Sequence, residues 1–68
     1  MTPHLTDRQR EVAALVAEGL TYGAIARRLG CTERTVRKHV EDAAGRIGGD
    51  APQRYRLLQW WREQRRAA

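Results

Sequence analysis

The 68-residue chain predicts an all-α fold of four short helices. Three observations carry that prediction. Apolar residues recur three and four apart in successive stretches, which is the spacing of a helix face. Each stretch opens on a residue able to cap a helix: Thr6, Thr21, Thr32 and Asp50. Glycine stops the first three, at Gly19, at Gly30 and at Gly48-Gly49. The helices are expected over residues 7–18, 21–29, 33–47 and 51–65, in a single domain spanning 1–68.

Taken in order, residues 1–4 form a short lead that Pro3 keeps out of a helix, with His4 in solvent. Thr6 and Gln9 form a capping box for the first helix, and Asp7 favours the positive end of its dipole. Leu5, just before the cap, suits a hydrophobic staple. Val12, Leu15 and Val16 make the apolar stripe with Ala13 at its edge, and Leu20 folds back on the core. Thr21 caps the second helix without a capping box, because Ala24 stands at the third helical position. Ile25 and Leu29 share a face, and the small Ala26 beside it lets another helix come close. Gly23 costs that helix up to about 1 kcal/mol relative to Ala. It either admits a close approach of a partner's backbone or is simply tolerated in a first turn.

Gly30 falls where a left-handed residue is wanted, and Cys31 is a small apolar plug. The third helix starts after Thr32 with Glu33 in its first turn. Val36, Val40, Ala43 and Ile47 line one face, and Arg34, Arg37, Lys38 and Glu41 the opposite one. Gly45 weakens its last turns. For the fourth helix Asp50 is the expected cap, Gln53 its partner at the third position, and Pro52 is tolerated in the first turn. Arg54, Leu57, Leu58 and Trp61 fall on one side, Tyr55 at the margin and Trp60 almost opposite.

The composition narrows the function. A chain this short buries only about 60% of its unfolded surface, so packing, dimerisation or a partner must help. One cysteine excludes an internal disulfide and a Cys-rich zinc site. Cys31 and His39 together lack the further ligands that a metal needs, and no cofactor is expected. No apolar run approaches a membrane span and no signal peptide is visible, so the cytoplasm is the expected location. A formal charge of +5 and a pI near 10.7 point to a polyanionic partner, nucleic acid ahead of a membrane surface. There is no set of nucleophile, base and orienting group and no Gly-rich phosphate loop, so the chain is not expected to be an enzyme. Met1 suits a complete small protein, and a domain of a longer regulator has the same appearance.

Residues 21–47, a short helix, a tight turn and a longer helix with a basic outer face, have the layout of a helix-turn-helix. The chain resembles the LuxR-type (GerE-type) DNA-binding domain of bacterial regulators. The matching residues are Leu5-Thr6-x-Arg8, Glu11-Val12, Leu15, Ala17-x-Gly19, Thr21, Ile25-Ala26, Leu29, Thr32, Thr35-Val36-Arg37-x-His39 and Arg46-Ile47-Gly48. They span residues 5–48, roughly two thirds of the chain. The resemblance implies four helices, the third in the major groove and the fourth often forming a dimer contact. The chain departs from the family pattern at Ala24, where Glu is usual, at Ala43, where a large aliphatic residue is usual, and at Gly49 and Pro52, which stand in the usual places of Val and Arg. Tyr55, Trp60 and Trp61 are available to refill the volume lost at Ala43 and Gly49.

The function the resemblance implies is sequence-specific binding of double-stranded DNA by a bacterial or phage transcription regulator, at the nucleoid of a prokaryote or phage-infected host, as a homodimer reading half-sites about one helical turn apart. Arg37, Lys38 and Glu41 are the candidates for base edges. Glu41 either accepts from cytosine N4 or pairs with Arg37 one turn away, and the pairing is the preferred reading. Arg34 and Thr35 suit phosphate or base contacts, as does Thr21 at the start of the preceding helix. Arg27, Arg28 and Arg46 are either phosphate clamps or solvated charges. His39, between Val36 and Val40, is expected to pack rather than to catalyse. Trp60, Leu57 and Arg56 are the candidates for a partner or homodimer interface, with Trp60 either exposed beside arginines as an anchor or turned by a rotation of the helix to share the core with Trp61. Two alternatives are a promoter-recognition module like region 4 of a sigma factor, with RNA polymerase as partner, and a protein-interaction adaptor using the Trp-rich last helix.

Overall fold

The computed structural model describes residues 4–67. The lead read around Pro3 lies largely outside them. The chain forms four helices, α1 (Asp7–Ala17), α2 (Tyr22–Leu29), α3 (Glu33–Ile47) and α4 (Gln53–Ala67). No strand occurs among the described residues. Among the described residues no helix is long and apolar enough to cross a membrane.

The start of α1 follows from local chemistry. Thr6 Oγ1 accepts from the Gln9 amide at 3.2 Å, and Gln9 Oε1 accepts from the Thr6 amide at 3.0 Å. Two amides that the helix cannot satisfy internally are thereby satisfied reciprocally. Gln9 is buried with this bond made, so its carbonyl is not stranded. Leu5 is fully buried in the core, anchoring the chain just before the cap. The helix ends at Ala17. Gly19 adopts φ +90°, its amide donates to Val16 O, and the Leu20 amide reaches back to Leu15 O. This paired closure is a Schellman motif, and it carries Leu20 back against the core as expected.

The α2–α3 junction uses the same devices. Thr21 Oγ1 accepts from the Ala24 amide at 3.1 Å. Gly30 closes α2 at φ +70°, a conformation costly for any residue with a Cβ, and Cys31 donates to Ala26 O. Thr32 Oγ1 then accepts from the Thr35 amide to open α3. The tight bend therefore rests on one left-handed glycine and two threonine caps.

The core draws from every helix. Val12, Leu15 and Val16 come from α1, Ile25 and Ala26 from α2, and Val36, Val40 and Ala43 from α3. α2 packs on α1 and α3, and α4 packs on the same two helices. Leu29 and Ile47 are half-buried at the edge of this cluster.

The fourth helix differs from expectation in start and in rotation. It begins at Gln53, not at 51, and Pro52 O accepts the first bond, from the Arg56 amide. Ala51 precedes a proline, which disfavours the helical region for it, and Asp50 is thereby left outside the cap position. Gln53 is the first helical residue rather than the third. The buried side is also turned. Of the two places expected for Trp60 it takes the inward one: it is only 4% exposed, and Leu57 is wholly buried, while Leu58 and Trp61 are half-buried. The shift is about 60°, a little over half of one residue's step around a helix. Two arginines hold it. Arg54 donates to Leu20 O and lies over the Tyr22 ring, 5.2 Å from its centroid. Arg56 donates to Ala51 O at 2.6 Å and to Ala44 O of α3 at 3.3 Å. Trp60 follows Arg56 by four residues and shares its side of the helix, next to α3. Ala43 and Ala44, both fully buried, leave room there in the cluster that holds Trp60. Tyr55 is 41% exposed and does not refill that volume.

Candidate nucleic-acid interface

The threonine caps set where α3 begins, and this decides which side chains face out. Val36, Val40 and Ala43 are pinned inward, so Arg34, Arg37, Lys38 and Glu41 must project outward over the first two turns. Arg34, Thr35, Arg37, Lys38 and Glu41 line one shallow, open hollow on the surface of α3. The five residues expected to face DNA from this helix are thus neighbours. Thr35 is half-buried, and its hydroxyl lies 3.0 Å from that of Thr32.

Arg37 is paired, but not with the expected partner. Its guanidinium donates to Glu33 Oε1 at 3.1 Å, one turn toward the start of the helix, and not to Glu41 one turn beyond. The physical reason is orientation. A Glu four residues before a cation suits the helix dipole better than a Glu four residues after it, and Glu33 also sits at the positive end. Both side chains are more than half exposed, so the pair contributes at most about 0.5 kcal/mol. Its consequence is direction: Arg37 is drawn toward the start of α3. Glu33 is a site residue that the sequence reading left out, although the i, i+4 spacing was there to find it.

The start of α2 adjoins this surface. A Cβ placed on Gly23 would lie 3.7 Å from Glu33 Oε2, 3.9 Å from an Arg27 guanidinium nitrogen and 4.0 Å from Thr21 Oγ1. Thr21, Arg27 and Glu33 therefore surround one small space between the two helix starts. The Thr21 oxygen accepts from Ala24, which leaves its hydroxyl proton to donate outward. Arg27 and Arg28 are exposed in the last turn of α2.

Other expected residues lie elsewhere. Arg46 is about 18 Å along α3 from Arg34, at 1.5 Å per residue. It donates to His4 O at 3.3 Å, which ties the end of α3 to the lead segment. His39 is half-buried beside Val36 and Val40, as expected. The expected partner surface on α4 is corrected: Trp60 and Leu57 belong to the core, and Arg56 is turned inward onto two carbonyls of its own chain. Burial of an indole in the core outweighs the exposed placement that the helical wheel allowed.

The charge is unevenly spread. Before Gln53 the chain has eight basic and seven acidic side chains; from Gln53 on it has five and one. Arg62, Arg65 and Arg66 are exposed on α4. Arg62 and Arg65 line a separate hollow with Ala14, Ala17 and Glu18 at the end of α1, and none of the three arginines lines the hollow on α3.

The comparisons with known proteins agree with this geometry. The family described as bacterial regulatory proteins, luxR family, matches residues 3–50, which takes in α1, α2 and α3 and stops short of α4. The nitrate/nitrite response regulator protein NarL of Escherichia coli K12 is 51% identical over 37 residues, covering 54% of this chain and 17% of that protein. NarL of Escherichia coli O6:H1 matches to the same extent. The chain thus matches a small fraction of the length of these curated relatives. With the model match covering well over half of its residues, the chain belongs to the luxR family of bacterial regulatory proteins and carries a DNA-binding helix-turn-helix of transcription regulators.

Proposed function

We propose that α3 enters the major groove of a specific duplex site and that the chain acts as the reading domain of a bacterial or phage transcription regulator. The observation that carries this reading is the hollow formed by Arg34, Thr35, Arg37, Lys38 and Glu41 on an otherwise unburied helix face. Lys38 and Arg37 donate to guanine O6 and N7, the acceptors that the major groove presents. Thr21, Arg27 and Arg34 hold phosphates and fix the register. Arg28 and Arg46 lie farther out and act on flanking phosphates. Arg62, Arg65 and Arg66 raise the association rate through their long-range field.

The test is binding to a duplex selected in vitro, compared with random duplex over a range of salt. Arg37→Ala and Lys38→Ala are each expected to cost about 1–3 kcal/mol on the selected site and to relax preference at one position. On random duplex they lose only their small electrostatic share. Unchanged specific binding in both variants overturns the assignment.

A second reading concerns a homodimer through the outer face of α4, favoured by the exposure of Tyr55. Like charge at Arg62, Arg65 and Arg66 opposes it. Sedimentation equilibrium of the wild type and of Tyr55→Glu decides it, with a dimer lost in the variant as the supporting result. The sigma-factor alternative requires RNA polymerase to co-purify with the chain, and the family match favours a regulator instead. The adaptor alternative rested on an exposed Trp60, which is buried.

A further inference from the structure

Glu41 stands out on a surface meant for a polyanion. It is exposed, it lines the same hollow as Arg34 and Lys38, and the cation one turn before it is bonded to Glu33 instead. Along the axis, Glu33 lies about 6 Å before Arg37 and Glu41 about 6 Å after it, so the Glu33 pair draws Arg37 away from Glu41. A carboxylate carried into a groove walled by phosphates is repelled unless it meets a donor. In the major groove the donors are the exocyclic amines, cytosine N4 and adenine N6. Adenine places an N7 acceptor beside its amine, which repels the second carboxylate oxygen. Cytosine places only carbon-bound hydrogen there on its own ring. Its partner guanine presents O6 and N7, which suit the ammonium of Lys38.

Resting on the groove reading above, we propose that Glu41 is a specificity-determining residue that reads cytosine. Its carboxylate accepts a hydrogen bond from N4 of one cytosine, while Lys38 donates to guanine O6 or N7 of the same or the adjacent base pair. Lys38 and Glu41 are three residues apart, about 4.5 Å along the helix. This is close to the roughly 3.4 Å rise of one base-pair step. Glu41 therefore acts by selection in both directions. It accepts from the one base edge that fits and repels thymine, whose O4 would face it at the same position.

The experiment is in-vitro selection of randomised duplexes with the 68-residue chain, its Glu41→Gln variant and its Glu41→Ala variant, followed by affinity measurements on the winning site. Circular dichroism of each variant checks the fold, which an exposed residue should leave intact. The wild type is expected to require cytosine at one position, and replacing that C·G pair by T·A should weaken it about tenfold or more. Glu41→Gln should shift that position toward adenine, the partner of an amide. Glu41→Ala should bring C·G and T·A to within about threefold and leave the other positions unchanged. The same cytosine preference in Glu41→Ala as in the wild type overturns this inference and leaves the groove reading standing. A wild type that enriches no sequence overturns both.

Discussion

Replacing Trp60 by alanine tests most severely how α4 is seated. A tryptophan buries about 150–250 Å² of surface, and Trp60 keeps only 4% of its exposure in the fold. At about 25 cal/mol per Å² its transfer from water contributes roughly 4–6 kcal/mol, an upper bound because the unfolded chain is itself partly collapsed. The alanine keeps a small part of that, and the void left in the core cluster adds to the loss. The expected cost is about 3–5 kcal/mol. At about 0.05–0.15 kcal/mol per residue, a chain of this length has roughly 3–10 kcal/mol in all. Trp60→Ala therefore removes between about a third of the stability and all of it, and a variant already unfolded in water sits at the upper end of the range. Trp61, half-buried over Ala14 and Arg10 of α1, should cost only about 1–2 kcal/mol when cut to alanine. Urea denaturation followed by far-UV circular dichroism measures both. If Trp61→Ala costs as much as Trp60→Ala or more, α4 is rotated the other way and the argument for its seating fails.

Two further predictions follow from the surface and the backbone. Gly45 has helical backbone and open space where a Cβ would go, so Gly45→Ala should stabilise the chain by up to about 1 kcal/mol, read as a rise of about 4–8 °C in Tm. No rise would mean that the end of α3 frays in the native state. Replacing Arg62, Arg65 and Arg66 together by Gln should slow association with DNA, yet leave the slope of log affinity against log salt at the specific site within about one unit of the wild type, because none of these arginines lines the hollow on α3. A slope reduced by two or three units would place them on phosphates and refute that placement.

The first three helices were readable because their determinants are local. Thr6 with Gln9, Gly19, Thr21, Gly30 and Thr32 each satisfy backbone groups within a few residues, and each does in the structure what its type and position suggest. Together they set the phase of α3, so its outward residues followed from the inward ones. The fourth helix has adjacent pairs, Leu57 with Leu58 and Trp60 with Trp61, so two overlapping apolar arcs are available on the same wheel. Long-range bonds choose between them: Arg54 reaches Leu20 O and Arg56 reaches Ala44 O, 34 and 12 residues away. Neither bond has a signature in sequence spacing. The ion pair of Arg37 is a different case. Two carboxylates stood at equal distance along the helix, and the direction of the helix dipole, not distance, favours Glu33.

The measurement that reaches the central claim most directly is chemical interference on the selected duplex. Guanine N7 lies in the major groove and adenine N3 in the minor groove. If α3 lies in the major groove with Arg37 and Lys38 on base edges, methylation of N7 at one or two guanines of the site abolishes binding, methylation of adenine N3 beside them has no effect, and Lys38→Ala removes the sensitivity at one guanine. Interference confined to adenine N3, or binding indifferent to both modifications, contradicts the account.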